Sequence, residues 1–190
     1  VIIETILTTT DAAGRVNSAP MGVEWGEDVI VIKPYQNTTT YRNLTVTRVA
    51  VVNISDNVLL FAQSAISHPV FPTRPAAVIL GAVLEDACSW REVQVEAIED
   101  HQPRARVTSR VVHRGVAREF VGFNRARGAV LEAAILATRT HCLPARQILA
   151  DYARLQVIVD KTAGPQEHEA MNLLTHYVQT ELSHDKNSED

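Results

Sequence analysis

Between Lys33 and Leu44 the chain reads Lys33-Pro34-Tyr35-Gln36-Asn37-Thr38-Thr39-Thr40-Tyr41-Arg42-Asn43-Leu44, gathering a cation, three adjacent hydroxyls and an arginine around a predicted helix start. A helix start presents free N–H groups and a positive dipole end to an anion, and an arginine fork can hold two phosphate oxygens at once. These are the parts of a phosphate site. The same residues also suit a plainer role, in which Asn37 or Thr38 caps the helix and the other threonines face water.

A second segment, Asn17-Ser18-Ala19-Pro20-Met21-Gly22, puts small residues and a proline in the middle of a predicted strand. Proline removes a ladder donor and glycine lets another group approach the backbone, so a flat ligand could bond along this edge. An ordinary edge strand is the alternative. Only one strand and a turn separate Gly22 from Thr38, so a meander would bring the two segments side by side.

The elements that must position them read as strands first and helices last, the α+β pattern. Strands are expected over Val1–Thr9, Val16–Val23 and Val29–Lys33, with turns at Asp11–Gly14 and Trp25–Glu27. A short helix over Asn37–Val46 leads into a strand over Val49–Ile54. Val58–Ile66 is ambiguous by periodicity, and Pro69, Pro72 and Pro75 mark loop up to about Ala77. Trp90–Ala97 alternates, with Val93, Val95 and Ala97 on one side and Glu92, Gln94 and Glu96 on the other. Ala105–Arg114 answers it, and its basic edge is expected to pair with that acidic edge across the strands. From Arg127 the period is helical. Val130, Leu131, Ala134 and Ile135 form one stripe, a second helix follows Pro144, and a third opens at Pro165 after Gly164. The polar end, Ser183–Asp190, is expected to fray.

The 190 residues carry 46% apolar and 21% charged residues with a net charge of -4, values of a globular chain and unsuited to a general nucleic-acid binder. Cys88 and Cys142 stand far apart without zinc spacing, so no disulfide framework or metal site is expected and a cytoplasmic setting fits. No apolar run is long enough to cross a bilayer. The triplets at Asn37, Asn43 and Asn53 are read as silent for glycosylation, and because the sequence opens on Val1, residues before it are expected. No Gly-x-Ser-x-Gly elbow, phosphate-binding Walker loop, His-Glu-x-x-His or paired cysteine motif is present, which removes local support for hydrolase, nucleoside triphosphatase and zinc chemistry. No catalytic residue stands out. His113 and Trp90 are read as structural.

Taken in order, Ala19-Pro20-Met21-Gly22, a strand, the Thr38–Leu44 segment and Ala50-Val51-Val52-Asn53-Ile54 resemble the FMN-binding split barrels, relatives of pyridoxamine phosphate oxidase and the flavin reductases. Glu4-Thr5-Ile6, Pro34-Tyr35, Phe123-Asn124-Arg125-Ala126, Glu132 and Thr138-Arg139 are similar to a domain-of-unknown-function subfamily best known from methanogenic archaea and some bacteria. The resemblance spans nearly the whole chain, loosely between Ser67 and Asp86. It implies an antiparallel six-stranded split β-barrel over 1–126, a C-terminal helical extension over 127–184 packed on the barrel, and a disordered tail over 185–190. It also implies a homodimer with one FMN in each of two clefts between subunits, and a small-molecule redox partner such as a nicotinamide, a deazaflavin or a pterin. Thr38, Thr39, Thr40 and Arg42 would bind phosphate and the backbone at Met21 and Gly22 would meet the isoalloxazine edge. Lys33 and Asn43 would be second contacts, and Tyr35 would either pack by the ring or ribityl chain or lie buried in the barrel wall. Asn124 and Arg125 would either reach the flavin from the partner subunit or form a turn that caps the next helix. Membrane and nucleic-acid partners are not expected.

Overall fold

The computed structural model describes residues 1–186, which fall into two compact units. The first takes Val1–Asp56 and His68–Phe120. It holds β1 (Ile2–Thr10), β2 (Val16–Glu24), β3 (Val29–Ile32), α1 (Thr39–Thr47), β4 (Val49–Ile54), β5 (Thr73–Pro75), β6 (Ala82–Leu84), β7 (Ser89–His101) and β8 (Arg104–Val116). Six strands close into a barrel in the order β1-β2-β3-β8-β7-β4. The strands alternate as expected, so Leu7, Val23, Ile32, Val52 and Val107 fill the interior, and Leu44 of α1 joins them.

The ladder is uneven. β1 and β2 pair over their full length, from Ile2↔Glu24 to Thr10↔Val16, whereas β2 and β3 meet in register only at Glu24↔Val31. The barrel is therefore split along β2, with the backbone edge before Glu24 not laddered to β3.

β1 is buried on both faces over Ile6–Thr10 because the β5–β6 hairpin covers its outer face. Thr8 Oγ1 donates to Ala82 O at 2.5 Å and Thr10 Oγ1 to Leu80 O at 3.2 Å. Asn53 locks the three segments: its Nδ2 donates to Ile6 O and Thr8 Oγ1, and its Oδ1 accepts from Leu84 N. The prolines between Pro69 and Pro75 suggested loop alone, but Thr73–Pro75 is a strand. A two-strand hairpin edge tolerates the missing proline donor.

The strand expected over Trp90–Ala97 is present, but its pairing is irregular at two places. The β7–β8 register shifts between Glu92 and Val93 and again between Val95 and Ala97. Val93 and Val95 keep the interior face and Ala97, beyond the second shift, is exposed, whereas Glu92 lies on the outer face and is buried because the segment Ala77–Ile79 covers it. Of the cross-strand ion pairs expected here, Arg110–Glu96 forms at 2.9 Å. Arg106 instead reaches Glu24 on β2, and Arg114 reaches Glu27 and Asp28 in the β2–β3 turn. Glu92 is engaged elsewhere: its carboxylate accepts from the N–H groups of Ala77, Val78 and Ile79.

Ser109 is fully buried and its Oγ has no hydrogen-bond partner among the described residues. A buried hydroxyl left unpaired carries a desolvation cost of about 1–3 kcal/mol. Ser109→Ala is expected to hold stability or raise it by about 1 kcal/mol, read as a shift of the urea midpoint at unchanged slope. A loss larger than that would show that the hydroxyl has a partner.

The second unit comprises Asn57–Ser67 and the described residues from Val121 onward. Its helices are α2 (Val58–Ile66), α3 (Arg125–Ala137), α4 (Ala145–Thr162) and α5 (Pro165–Lys186). The ambiguous segment Val58–Ile66 is thus a helix, capped by Asn57 Oδ1 accepting from Leu59 N at 3.0 Å. Its apolar face, with Val58 and Ala62, packs into the helical core beside Val130, Ile148 and Leu174. The compact units therefore do not divide by a single cut at 126/127, since burial of that face sends Asn57–Ser67 to the helices. On α3 the deeply buried face is Ala126, Ala129, Val130, Ala133, Ala134 and Ala137, whereas Leu131 and Ile135 are half-buried. Arg127 Nε meets Glu167 Oε1 at 3.0 Å, and Glu167 Oε2 accepts from Gly164 N where α4 passes into α5. The expected fraying from Ser183 is not seen as far as Lys186, which α5 includes. The rest of the expected tail lies outside the described residues. Among the described residues, no helix is long and apolar enough to cross a membrane.

Candidate functional site

Helix α1 starts at Thr39 because Thr38 caps it. Thr38 is extended, with φ -91° and ψ 157°, and its Oγ1 accepts from Tyr41 N at 3.3 Å. The same hydroxyl donates to Tyr35 O at 2.7 Å. Of the two caps left open by the sequence, Thr38 is the one used. Arg48 ends the helix in the left-handed region at φ 60°.

The inner face of α1 is anchored to the barrel. Leu44 enters the apolar interior, and Asn43 Nδ2 donates to Thr9 Oγ1 at 3.1 Å. Thr40, only 3% exposed, accepts from Asn17 Nδ2 at 3.2 Å. The outer face carries Arg42, which is exposed and bonds Thr39 Oγ1 at 2.9 Å through Nη2. Helix geometry leaves the N–H groups of Thr39 and Thr40 without intrahelical acceptors, and the dipole makes this end attractive to an anion.

The Asn17–Thr40 bond is the point where β2 and α1 meet. Asn17, Met21 and Val23 lie on the same face of β2, and Val23 is in the barrel core. Met21 and Gly22 therefore sit about 13–17 Å farther along this strand than Asn17. Thr5 Oγ1 donates to Met21 O at 2.8 Å. A Cβ on Gly22 would approach Glu4 Oε1 to 2.9 Å and Ile2 Cγ2 to 3.0 Å, so a side chain there would have to displace these neighbours.

Lys33 forms an ion pair with Glu24, which Arg106 also meets at 3.1 Å. The Lys33 ammonium, with Arg106 and against the opposing effect of burial, holds Glu24 below its ordinary value. Since Glu24↔Val31 is the registered β2–β3 pair, this trio fastens the closed end of the split. Tyr35 is 45% exposed, not buried in the wall. Arg104 lies over its ring at 4.1 Å and donates to its hydroxyl at 2.9 Å. Tyr41 OH and Gln36 Nε2 both bond Asp100, so the β7–β8 hairpin braces the approach to α1.

Asn124 and Arg125 belong to the helical unit. Asn124 caps α3, with Oδ1 accepting from Ala126 N and Arg127 N at 2.8 and 3.1 Å and Nδ2 donating to Thr162 O. Both ends of its side chain are engaged within its own unit. Arg125 is exposed. The structure thus brings Thr38, Thr39, Thr40, Arg42 and Asn43 together at one end of β2, Met21 and Gly22 along it, and Lys33 and Tyr35 on the adjoining segment. Asn17 and Arg104 were missed as site residues. Asn17 stood in a segment the sequence did mark, whereas Arg104 had no local signal.

Among the described residues, no group of three His, Cys, Asp or Glu side chains gathers to hold a metal. Cys88 is buried against Asp56, and burial first and foremost pushes its thiol up, away from thiolate chemistry.

Comparison with known families and structures adds to this geometry. Residues 3–118 match the N-terminal domain of a family described as protein of unknown function (DUF447), and residues 124–176 match a second DUF447 region. No curated protein matches the chain. The fold is similar to that of an FMN-bound protein from Methanosarcina mazei, at 22% identity, over 93% of this chain and 94% of that one, with a TM-score of 0.81. It is also similar to a 2-nitrobenzoate 2-nitroreductase from Pseudomonas fluorescens, at 19% identity, over 60% of this chain and 64% of that one, with a TM-score of 0.54. A third likeness is to the styrene monooxygenase flavin reductase of Pseudomonas putida, at 17% identity, over 60% of this chain and 77% of that one, with a TM-score of 0.52. These likenesses establish the α+β split-barrel fold.

Proposed function

The chain belongs to the family described as protein of unknown function (DUF447), and from that membership together with the anion-binding end of α1 we propose that it is an FMN-binding oxidoreductase acting on a small molecule. The observation that carries the reading is the start of α1: two N–H groups without helical acceptors, two threonine hydroxyls and Arg42, placed beside an unladdered strand edge. These groups fit the phosphate of FMN. The FMN-bound Methanosarcina mazei protein of the same fold supports that choice of ligand.

In this reading Thr39, Thr40 and Arg42 hold the phosphate, and Thr38 shapes the site by capping α1. The backbone at Met21 and Gly22 orients the ring system along β2. Lys33 acts indirectly, by fastening Glu24 at the seam, and Asn43 by tying α1 to β1. Tyr35 with Arg104 borders the site. A bound flavin supplies hydride and electron transfer itself, so the protein needs no catalytic triad. The reading extends to a homodimer in the cytoplasm, in which Arg125 of the partner subunit reaches toward the flavin; a single-chain mass by light scattering at micromolar concentration removes the dimer from it.

Purified protein is expected to be yellow or to take up FMN, and to bleach with a suitable donor such as a reduced nicotinamide. Colour that never bleaches with nicotinamide, deazaflavin or pterin donors indicates a binding module without turnover. Protein that takes up no FMN is a scaffold, and the reading fails. Arg42→Ala is expected to weaken FMN by about 1.5–3 kcal/mol, the value of a charge-assisted hydrogen bond. Unchanged affinity would remove Arg42 from the phosphate site.

A further inference from the structure

A hydroxyl has one proton to donate and two positions at which to accept, so following the protons around α1 separates threonines that look alike in sequence. Thr38 donates to Tyr35 O while accepting from Tyr41 N. Thr45 and Thr47 donate to the carbonyls of Arg42 and Asn43 at 2.8 and 3.0 Å. Thr39 and Thr40 differ. Thr39 accepts from Arg42, whose guanidinium can only donate, and Thr40 accepts from Asn17 Nδ2. Neither proton has an acceptor among the described residues.

For Thr40 this matters most, because the residue is 3% exposed and water has little access to take the proton. An undonated buried hydroxyl proton is costly unless an acceptor arrives. At this place the arriving group also meets the first N–H groups of α1 and, one residue back, the Thr39–Arg42 pair.

We propose that Asn17 is a positioning residue for the anion site: by donating to Thr40 Oγ1 it turns the Thr40 hydroxyl into a donor reserved for phosphate. The proposal rests on the FMN reading above and deepens it. Asn17 makes the site favour a phosphate monoester over the same ligand ending in a neutral alcohol. It also couples the ring-facing strand, on which Met21 and Gly22 lie, to the phosphate end. Thr38, by contrast, contributes through the cap alone, and its proton is not available to the ligand.

The test uses FMN and riboflavin as paired probes, titrated by flavin fluorescence, because the two differ only in the phosphate. Asn17→Asp replaces the donor by a second acceptor, draws the Thr40 proton to itself and places a negative charge beside the anion. It is expected to lower the FMN-to-riboflavin affinity ratio by about 10- to 100-fold, the range of one charge-assisted hydrogen bond, with riboflavin affinity unchanged. Thr40→Val is expected to lower the same ratio, and Thr40→Ser to keep it. Asn17→Ala is expected to lower the ratio about fivefold in the native background and not at all beside Thr40→Val, the signature of coupled neighbours. An unchanged ratio in Asn17→Asp, or equal losses for both ligands, overturns the proposal while leaving FMN binding intact. A native protein that binds neither flavin removes the FMN reading and this proposal together. Equal melting temperatures of the Asn17 variants keep a ratio change from being a folding defect.

Discussion

Glu92→Gln is expected to lower the unfolding free energy by about 3 kcal/mol, since bonds to a charged group contribute about 1.5–3 kcal/mol each and several are weakened together. The fully buried carboxylate accepts from Ala77 N and Val78 N at 2.7 Å each, from Ile79 N at 3.2 Å and from Trp90 Nε1 at 3.3 Å. Glutamine matches the shape but turns an N–H₂ toward donors, so at least one bond becomes a clash of like partners. Denaturant unfolding measures the loss, and hydrogen exchange at residues 77–79 should accelerate with it.

The same carboxylate ties stability to pH. Burial pushes Glu92 up, but the three backbone N–H groups and the indole outweigh it and hold the group below its ordinary 4.5. A carboxyl lowered on folding stabilises the native state above its unfolded value, and that contribution fades as pH falls through the lower folded value. The gap between the native protein and Glu92→Gln is therefore expected to be full at neutral pH and to narrow below about pH 4.5. A gap that stays constant through that range would mean that charge is not what holds the Ala77–Ile79 turn.

Gly115→Ala is expected to cost about 2–3 kcal/mol by overpacking. Trp90 lies directly across the β7–β8 ladder from Gly115, and a Cβ there would stand 2.0 Å from Trp90 Cζ2. The indole cannot yield cheaply, because its Nε1 bonds Glu92 and Arg74 lies over its ring at 4.7 Å. Thermal or urea unfolding reads the cost. Trp90→Leu in the same chain should recover part of it, and an unaltered midpoint in Gly115→Ala would show that the indole has room to swing aside.

How far the sequence could be read follows from the range of the interactions involved. The strand pattern from Val1 to Ile54 and the helices after Arg127 rest on alternation, capping residues and prolines within a few positions, and each of these elements is present. Glu92 shows where this fails. In a run that alternates, its parity gives it the outer face, which it keeps, but the segment Ala77–Ile79 covers that face and buries the carboxylate. Whether the outer face of a barrel strand meets water or another segment is decided by tertiary packing, which no local window contains. Val58–Ile66 was undecidable for a related reason, since a short apolar run shows no period until it is known what buries it.

The candidate site divides in the same way. By itself, the sequence determined that three hydroxyls and an arginine gather at a helix start and that a strand interrupted by small residues precedes them, because both facts are local. Only the tertiary structure decided which threonine caps, which hydroxyls keep a proton to donate, and that Asn17 is the residue joining strand to helix. It likewise committed Lys33 to Glu24, Asn43 to Thr9 and Asn124 to the cap of α3. The physical reason is that residue type sets what a side chain can donate or accept, whereas its partner is chosen by whichever groups the closed barrel and the packed helices bring within about 3 Å.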